Sequence, residues 1–309
     1  MRDTFISTLL PIAKRDSRIV MMTGDLGFGV LDEFRAACPD QLLNVGVAEQ
    51  NLAGVGAGLA LTGHIVFTYS IGNFPTLRCL EQIRNDVCYH AANVKIVTVG
   101  GGMAYGSLGY THFAVEDLAI MRSLPGMTVV APGDPHEVEL LVPQIVERPG
   151  PVYLRLGRAG ERTIHDPTVD VKLGSPTMLA EGDDVLLLTT GGMLPVAKQA
   201  ADELTKVGVA AGIASVHTLS PFPTKEVVNL ARRYPLVVTC EEHTVSGGLG
   251  GAVAEALAEN AVHCVFRRFG LDAGLFPVGV GSQEYLRDAN GIGPAALVEL
   301  TSSLLQRRT

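Results

Sequence analysis

Leu42-Leu43-Asn44-Val45-Gly46-Val47-Ala48-Glu49-Gln50-Asn51 passes from a short apolar run, through a glycine, into a helix whose other positions are mostly Gly, Ala, Leu and Val up to Leu61. A strand followed at once by an apolar helix is half of a parallel β–α–β unit. The same alternation runs outward in both directions. Candidate strands fall at 18–23, 42–45, 64–69, 94–99, 127–131 and 152–156. Between them, apolar residues three and four apart, such as Leu77, Leu80, Ile83 and Val87, mark buried helix faces. Asp134-Pro135-His136-Glu137 places an N-cap Asp, a first-turn Pro and a third-position Glu in order, a clear helix start. The pattern predicts an α/β fold, a doubly wound parallel sheet with helices on both faces.

The periodicity breaks between 160 and 184, where Pro, Gly and scattered charges read as a linker. A second alternation follows, with strands at 185–190, 210–217, 236–240 and 264–269 and helices at 195–207, 224–234, 250–259 and 295–305. The expected organisation is two doubly wound domains, 1–165 and 184–309, joined by a linker at 166–183.

Composition narrows the function classes. With 47% apolar and 18% charged residues, 35 Gly and 17 Pro, the chain is neither disordered, collagenous nor a coiled coil. Lys and Arg number 24 against 32 Asp and Glu, a formal charge of −8 that argues against nucleic-acid or anionic-membrane partners. No apolar run reaches the ~18 residues of a membrane span. The N-terminus does not read as a signal peptide. Cys38, Cys79, Cys88, Cys240 and Cys264 are odd in number and lack CxxC spacing, which fits reduced thiols in a cytoplasmic protein.

Ligands of open parallel sheets collect at the carboxyl ends of the strands. The residues there are Gly24-Asp25-Leu26-Gly27, then Gly46 to Asn51, Ser70 to Phe74, the Gly-rich loop Gly100 to His112, and Arg158. Glu49 stands at the mouth of an apolar helix, where a carboxylate is costly to bury unless paired. It reads either as a helix-dipole glutamate or as a carboxyl of raised pKa kept for proton chemistry. His112 likewise reads as structural or as a site residue. Gly54-Val55-Gly56-Ala57-Gly58 lies inside a helix, so it is a weak dinucleotide signal. No Walker, HExxH or GxSxG motif occurs, and no metal-ligand cluster is visible by spacing.

Gly46-Val47-Ala48-Glu49-Gln50-Asn51, Glu81-Gln82-Ile83-Arg84-Asn85, Thr111-His112 and Met121-Arg122-Ser123-Leu124-Pro125-Gly126-Met127 stand in the order and spacing of transketolases. With Glu241-Glu242-His243 and Gly281-Ser282-Gln283-Glu284-Tyr285-Leu286, the chain resembles the C-terminal half of a transketolase, the small subunit of the split, two-gene bacterial form, over its whole length. It is similar also to deoxyxylulose-phosphate synthase. The resemblance implies a pyrimidine-binding domain for thiamine diphosphate followed by a non-catalytic transketolase C-terminal domain. It assigns Glu49 to the pyrimidine ring nitrogen, Phe74 and Tyr69 to the aromatic wall, and Asp25 with Leu26 to the neighbourhood of the thiazolium. His112 would bind the donor sugar's oxygens and Arg158 its phosphate, so Glu49 and His112 are the expected catalytic pair.

The departures qualify this assignment. Leu108 stands where the relatives carry an Asp that reads sugar hydroxyls, Gly100 replaces a donor-binding histidine, and Ile71 replaces an aromatic residue. The Gly-Asp-Gly…Asn motif that holds the diphosphate and its Mg²⁺ is absent. The resemblance therefore implies an N-terminal-half partner subunit carrying the metal, homodimerisation within an α₂β₂ assembly, and transfer of a two-carbon ketol unit between sugars or sugar phosphates. A deoxyxylulose-phosphate-synthase-like or 2-oxo-acid dehydrogenase E1 β-type subunit is the alternative enzyme. A non-catalytic regulatory or scaffold relative is the alternative of another class.

Overall fold

The computed structural model describes residues 1–307. Its first half contains α1 (Arg2–Ala13), β1 (Ile19–Thr23), α2 (Asp32–Ala37), β2 (Leu42–Asn44), α3 (Glu49–Leu61), β3 (Ile65–Ile71) and α4 (Leu80–Gln82), which passes into a π-helical turn over Ile83–Cys88. It continues with β4 (Val94–Val99), α5 (Asp117–Arg122), β5 (Thr128–Val130), α6 (Pro135–Glu147) and β6 (Val152–Arg155). The second half contains β7 (Thr177–Ala180), β8 (Val185–Thr189), α7 (Leu194–Lys206), β9 (Ala211–Ser215), β10 (Thr218–Ser220) and α8 (Thr224–Ala231). Then come β11 (Leu236–Thr244), α9 (Leu249–Glu259), β12 (Val265–Leu271), α10 (Gln283–Ala289) and α11 (Pro294–Gln306).

The strands form two sheets, ordered β10-β5-β6-β4-β3-β1-β2 and β12-β11-β8-β9-β7. Helices cover both faces of the first, as a doubly wound fold requires. On one side α3 packs with Met22, Val66 and Ile96; on the other α1 and α6 bury Phe5, Leu9, Leu141 and Ile145 against Phe67 and Val97. Helix α3 packs on the sheet at Gly56, where a Cβ would meet Thr68 and Val66 at 3.4 and 3.5 Å, ordinary van der Waals contact. Strand order reverses between β1 and β3, and such sheets take ligands at the carboxyl ends of the strands flanking that point.

Neither sheet is wholly parallel. The run expected as one strand over 210–217 ends at Ser215, and the chain crosses to the other sheet as β10, antiparallel to β5. Ala131 N–H donates to His217 O at 2.7 Å across that crossing. Strand β7 lies within the stretch read as linker and pairs antiparallel with β9 at the sheet edge. It shows too few alternating residues to stand out from sequence. The two halves also share one apolar core, in which Met127, Val129 and Tyr153 meet Leu186, Ala214, Val216 and Leu219.

Candidate functional site

Glu49 opens α3 and is 4% exposed. Its Oε2 accepts a 2.8 Å bond from Arg78 Nη1, and among the described residues Oε1 takes none. The Arg78 guanidinium also lies 4.8 Å above the Phe74 ring, a cation–π contact. Phe74 in turn meets His112 edge-on, with ring centroids 5.2 Å apart. Glu49, Arg78, Phe74 and His112 thus form one chain of contacts at the carboxyl end of the first sheet. His112 Nδ1 lies 3.0 Å from Thr111 Oγ1, which leaves Nε2 without a bonded partner among the described residues.

Beside this chain opens a groove of about 320 Å³ lined by Asn73, Phe74, Leu77, Arg78, Tyr110, Thr111, Phe113 and Glu116. Asn73 Nδ2 donates to Thr111 O at 2.6 Å, which orients its amide and leaves the buried Oδ1 unpartnered. Tyr110 donates to Glu116 and meets Phe276 edge-on at 5.0 Å. Burial, reinforced by the Glu116 carboxylate, pushes its hydroxyl up to about 12.

The other expected site residues are placed apart. Asp25 adopts a left-handed φ of 56° after β1; its N–H donates to Asn44 Oδ1 at 2.9 Å, and Gly46 N–H donates to the same oxygen at 3.0 Å. This ties the turn that holds Asp25 and Leu26 to the one that leads into Glu49. Tyr69 is 1% exposed within the core on the far face of the sheet, with Met21, Leu31 and Phe67, and burial pushes its hydroxyl up. It does not meet Phe74. Leu108 ends a 3₁₀ turn over Gly106–Leu108 and is 53% exposed. Arg158 lines a separate cavity of about 500 Å³ between the two halves, together with Arg162, Lys198 and Glu284.

Arg78 does not stand out from the sequence, although it lies four residues after Phe74, a spacing that brings side chains together on a turn. Neither does a buried network under the Gly-rich loop. Tyr153 OH and Arg155 Nε converge on Asp117 Oδ2 at 2.6 and 2.9 Å. Arg287 and Gln283 converge on Glu242, whose Oε1 accepts from Met103 N–H at 2.8 Å. Among the described residues no group of three or more His, Cys, Asp or Glu side chains converges to hold a metal. Glu49 Oε1, free of a bond among the described residues and close to the Phe74–Arg78 contact, fits a planar heteroaromatic group that offers it a hydrogen bond.

Residues 1–162 match the family described as transketolase, pyrimidine binding domain, and residues 174–294 match transketolase, C-terminal domain. The 6-deoxy-6-sulfo-D-fructose transketolase subunit SqwH of Clostridium sp. (strain MSTE9) is 38% identical, covering 100% of this chain and 95% of that protein. An apulose-4-phosphate transketolase subunit of Phocaeicola vulgatus is 35% identical, covering 88% and 93%. A solved split gene transketolase, an inactive beta4 tetramer, is similar with a TM-score of 0.87 at 36% identity, covering 99% of this chain and 97% of that one.

Proposed function

We propose a function for this chain from one premise: it belongs to the transketolase family. It is a transketolase-like subunit of a split enzyme that transfers a two-carbon ketol unit between sugars. A partner subunit supplies the half of the thiamine diphosphate site that grips the diphosphate and Mg²⁺, in an α₂β₂ assembly. The observation that carries this reading is the buried Glu49 carboxylate, held by Arg78 through one oxygen and open at the other. Thiamine diphosphate, when bound, supplies a carbon nucleophile and an electron sink for breaking the bond beside a ketone. Glu49 would hold its pyrimidine through Oε1 and share a proton with the ring nitrogen there, with Arg78 fixing the carboxylate's orientation. Phe74 would close one side of that ring. Asp25 and Leu26, tied through Asn44 to the turn before Glu49, would flank it.

His112 would bind the donor's oxygens through Nε2, which the fold leaves free for it. The substrate is a ketose with an anionic tail. Arg158 supports this, because a guanidinium grips phosphate or sulfonate in a fork; its cavity, apart from the His112 groove within this chain, is lined by Arg162 and Lys198 as well as Glu161, Asp202 and Glu284. The relatives' names, one giving a sulfo sugar and the other a sugar phosphate, agree in an anionic tail. The test is reconstitution. Mixed with the diphosphate-binding subunit, thiamine diphosphate and Mg²⁺, the chain should transfer a ketol unit from such a ketose to an aldehyde acceptor. Absence of transfer across a panel of anionic ketoses, with the complex shown to assemble, would overturn the reading.

A further inference from the structure

The loop from Gly100 to His112 carries two residues assigned to the donor, Leu108 and His112, and it is held from both halves of the chain. It leaves β4 and is closed at its base where Gly102 and Ala114 exchange two backbone bonds of 2.9 Å. Its own half also holds its two ends, through Gly100 and Gly101 N–H to Gly157 and Leu156 O at 3.0 and 2.9 Å and through Asn73 Nδ2 to Thr111 O at 2.6 Å, whereas the stretch between, from Met103 to Gly106, is anchored from the second half. Glu242 Oε1 accepts from Met103 N–H at 2.8 Å, and a Cβ on Gly102 would lie 2.6 Å from the same carboxylate's carbon. Thr244 N–H donates to Val115 O at 2.8 Å and Gly281 N–H to Gly106 O at 3.2 Å. His243 Nδ1 lies 2.6 Å from Thr244 O, so Nε2 is the acceptor of the 3.3 Å bond from Ala119 N–H. Arg155 Nη2 bridges Ala114 O and Glu242 O at 2.6 and 3.0 Å.

Glu242 is the centre of this clamp. It is 2% exposed, and its second oxygen is fixed by Arg287 and by Gln283, both on α10. A buried carboxylate with every oxygen bonded is rigid, and so is the backbone amide it holds. We propose that Glu242, from the second half of the chain, is a positioning residue for the donor site, which sets the place of His112 by holding the loop at Met103. The loop's conformation is therefore shared work, its ends held by the first half and its middle by the second. This inference rests on the donor-binding role given to His112 above.

The test reads the loop and the reaction separately. In the full chain without substrate, amide hydrogen exchange at Met103 and Ala114 should quicken about tenfold or more in Glu242→Ala, the effect of losing one charge-assisted bond. Glu242→Gln keeps an oxygen for Met103 and should stay within about threefold of the native rate. In the assembled enzyme, Glu242→Ala should raise the donor KM about tenfold with kcat changed far less, because a displaced His112 weakens bound donor and transition state alike. Arg122→Ala removes another contact between the halves, to Gly247 O and Glu255, without touching the loop, and should move neither reading. If Glu242→Ala fails to fold, Glu242→Ala with Arg287→Ala takes its place, since it leaves no buried cation behind. Unchanged exchange at Met103 overturns the proposal. So does faster exchange with an unchanged donor KM where His112→Ala raises it. If His112→Ala leaves donor KM unmoved, the reading of the groove falls, and the exchange measurement alone decides whether Glu242 fixes the loop.

Discussion

Removing Arg78 tests the geometry around Glu49 most directly. The Glu49 side chain is 4% exposed, whereas Arg78 is 50% exposed, so the 2.8 Å bond joins a buried anion to a cation with access to water. Stripping the partner from a fully buried ion costs ~3–5 kcal/mol, and from an exposed pair about 1 kcal/mol or less. Half-exposure of the guanidinium places this pair between those limits, at a coupling of about 1–2 kcal/mol. The measurement is a double-mutant cycle of Arg78→Ala, Glu49→Gln and both, by urea denaturation of the full chain. Glu49→Gln keeps the side chain's shape, so the variant should fold. In the assembled enzyme it should also lower ketol transfer ~10²-fold or more, the usual loss of a principal acid–base group. A coupling energy below about 0.3 kcal/mol, the noise of additivity, would mean that the pair is not formed in solution. Unchanged hydrogen–deuterium exchange at the cofactor's thiazolium carbon in assembled Glu49→Gln would refute the role given to the carboxylate.

Three further outcomes are expected. The isolated chain should show no measurable affinity for thiamine diphosphate by calorimetry; tight, Mg²⁺-dependent binding would contradict the split site. Leu108→Asp should improve kcat/KM for hydroxyl-rich donors such as xylulose 5-phosphate by a factor of ~2–10, the value of one hydrogen bond at a half-exposed position; high wild-type efficiency on those donors would place the missing contact elsewhere. The third concerns Asp134, where burial pushes the carboxyl up but bonds from the side chain and N–H of His165 and the N–H groups of Glu137 and Ile164 outweigh it and hold it at about 2. Burial pushes His165 down, but that carboxylate and Glu137 raise it above its ordinary value. The Asp contribution is present above pH ~4 and lost as the pH falls towards 2, whereas the His contribution is full below pH ~6.5 and lost as the pH rises above it. The stability difference between wild type and Asp134→Asn should therefore be greatest between about pH 4 and 6.5, and a difference independent of pH would sink the assignment.

Features governed by neighbours in sequence are legible from the residues alone. Strand β4 occupies the residues its apolar run predicts, Val94–Val99. Asp134 caps α6 by accepting from Glu137 N–H at 2.9 Å, as the Asp-Pro-x-Glu order requires. Helix α1 and strand β7 are not legible in this way. The first is stabilised by burying Phe5 and Leu9 in the core, and the second by pairing with a strand that follows it by about thirty positions, so neither has a strong local signature. Helix α10 does leave one, since Ser282 accepts from Tyr285 N–H at 3.2 Å as an N-cap serine should.

The candidate site divides along the same line. Each strand end supplies its residue locally, so Glu49, Phe74 and His112 can be read one at a time from strand–turn–helix punctuation, and the family resemblance gives them roles. What brings them into contact is not local. Arg78 chooses Glu49 across 29 positions, and Met103 chooses Glu242 across 139. Nothing in a single sequence marks such a choice, because a buried carboxylate needs only some donor, and which donor reaches it depends on how two sheets pack through a shared core. Tyr69 makes the converse point. Its type suits a stacking wall, and the alternation of β3 sets it, with Phe67, on the face opposite Thr68 and α3, beside Gly27 in the turn that follows Asp25 and Leu26. Residue type proposes a role at a site; the parity of a strand and the partner across the fold decide which neighbours the side chain meets.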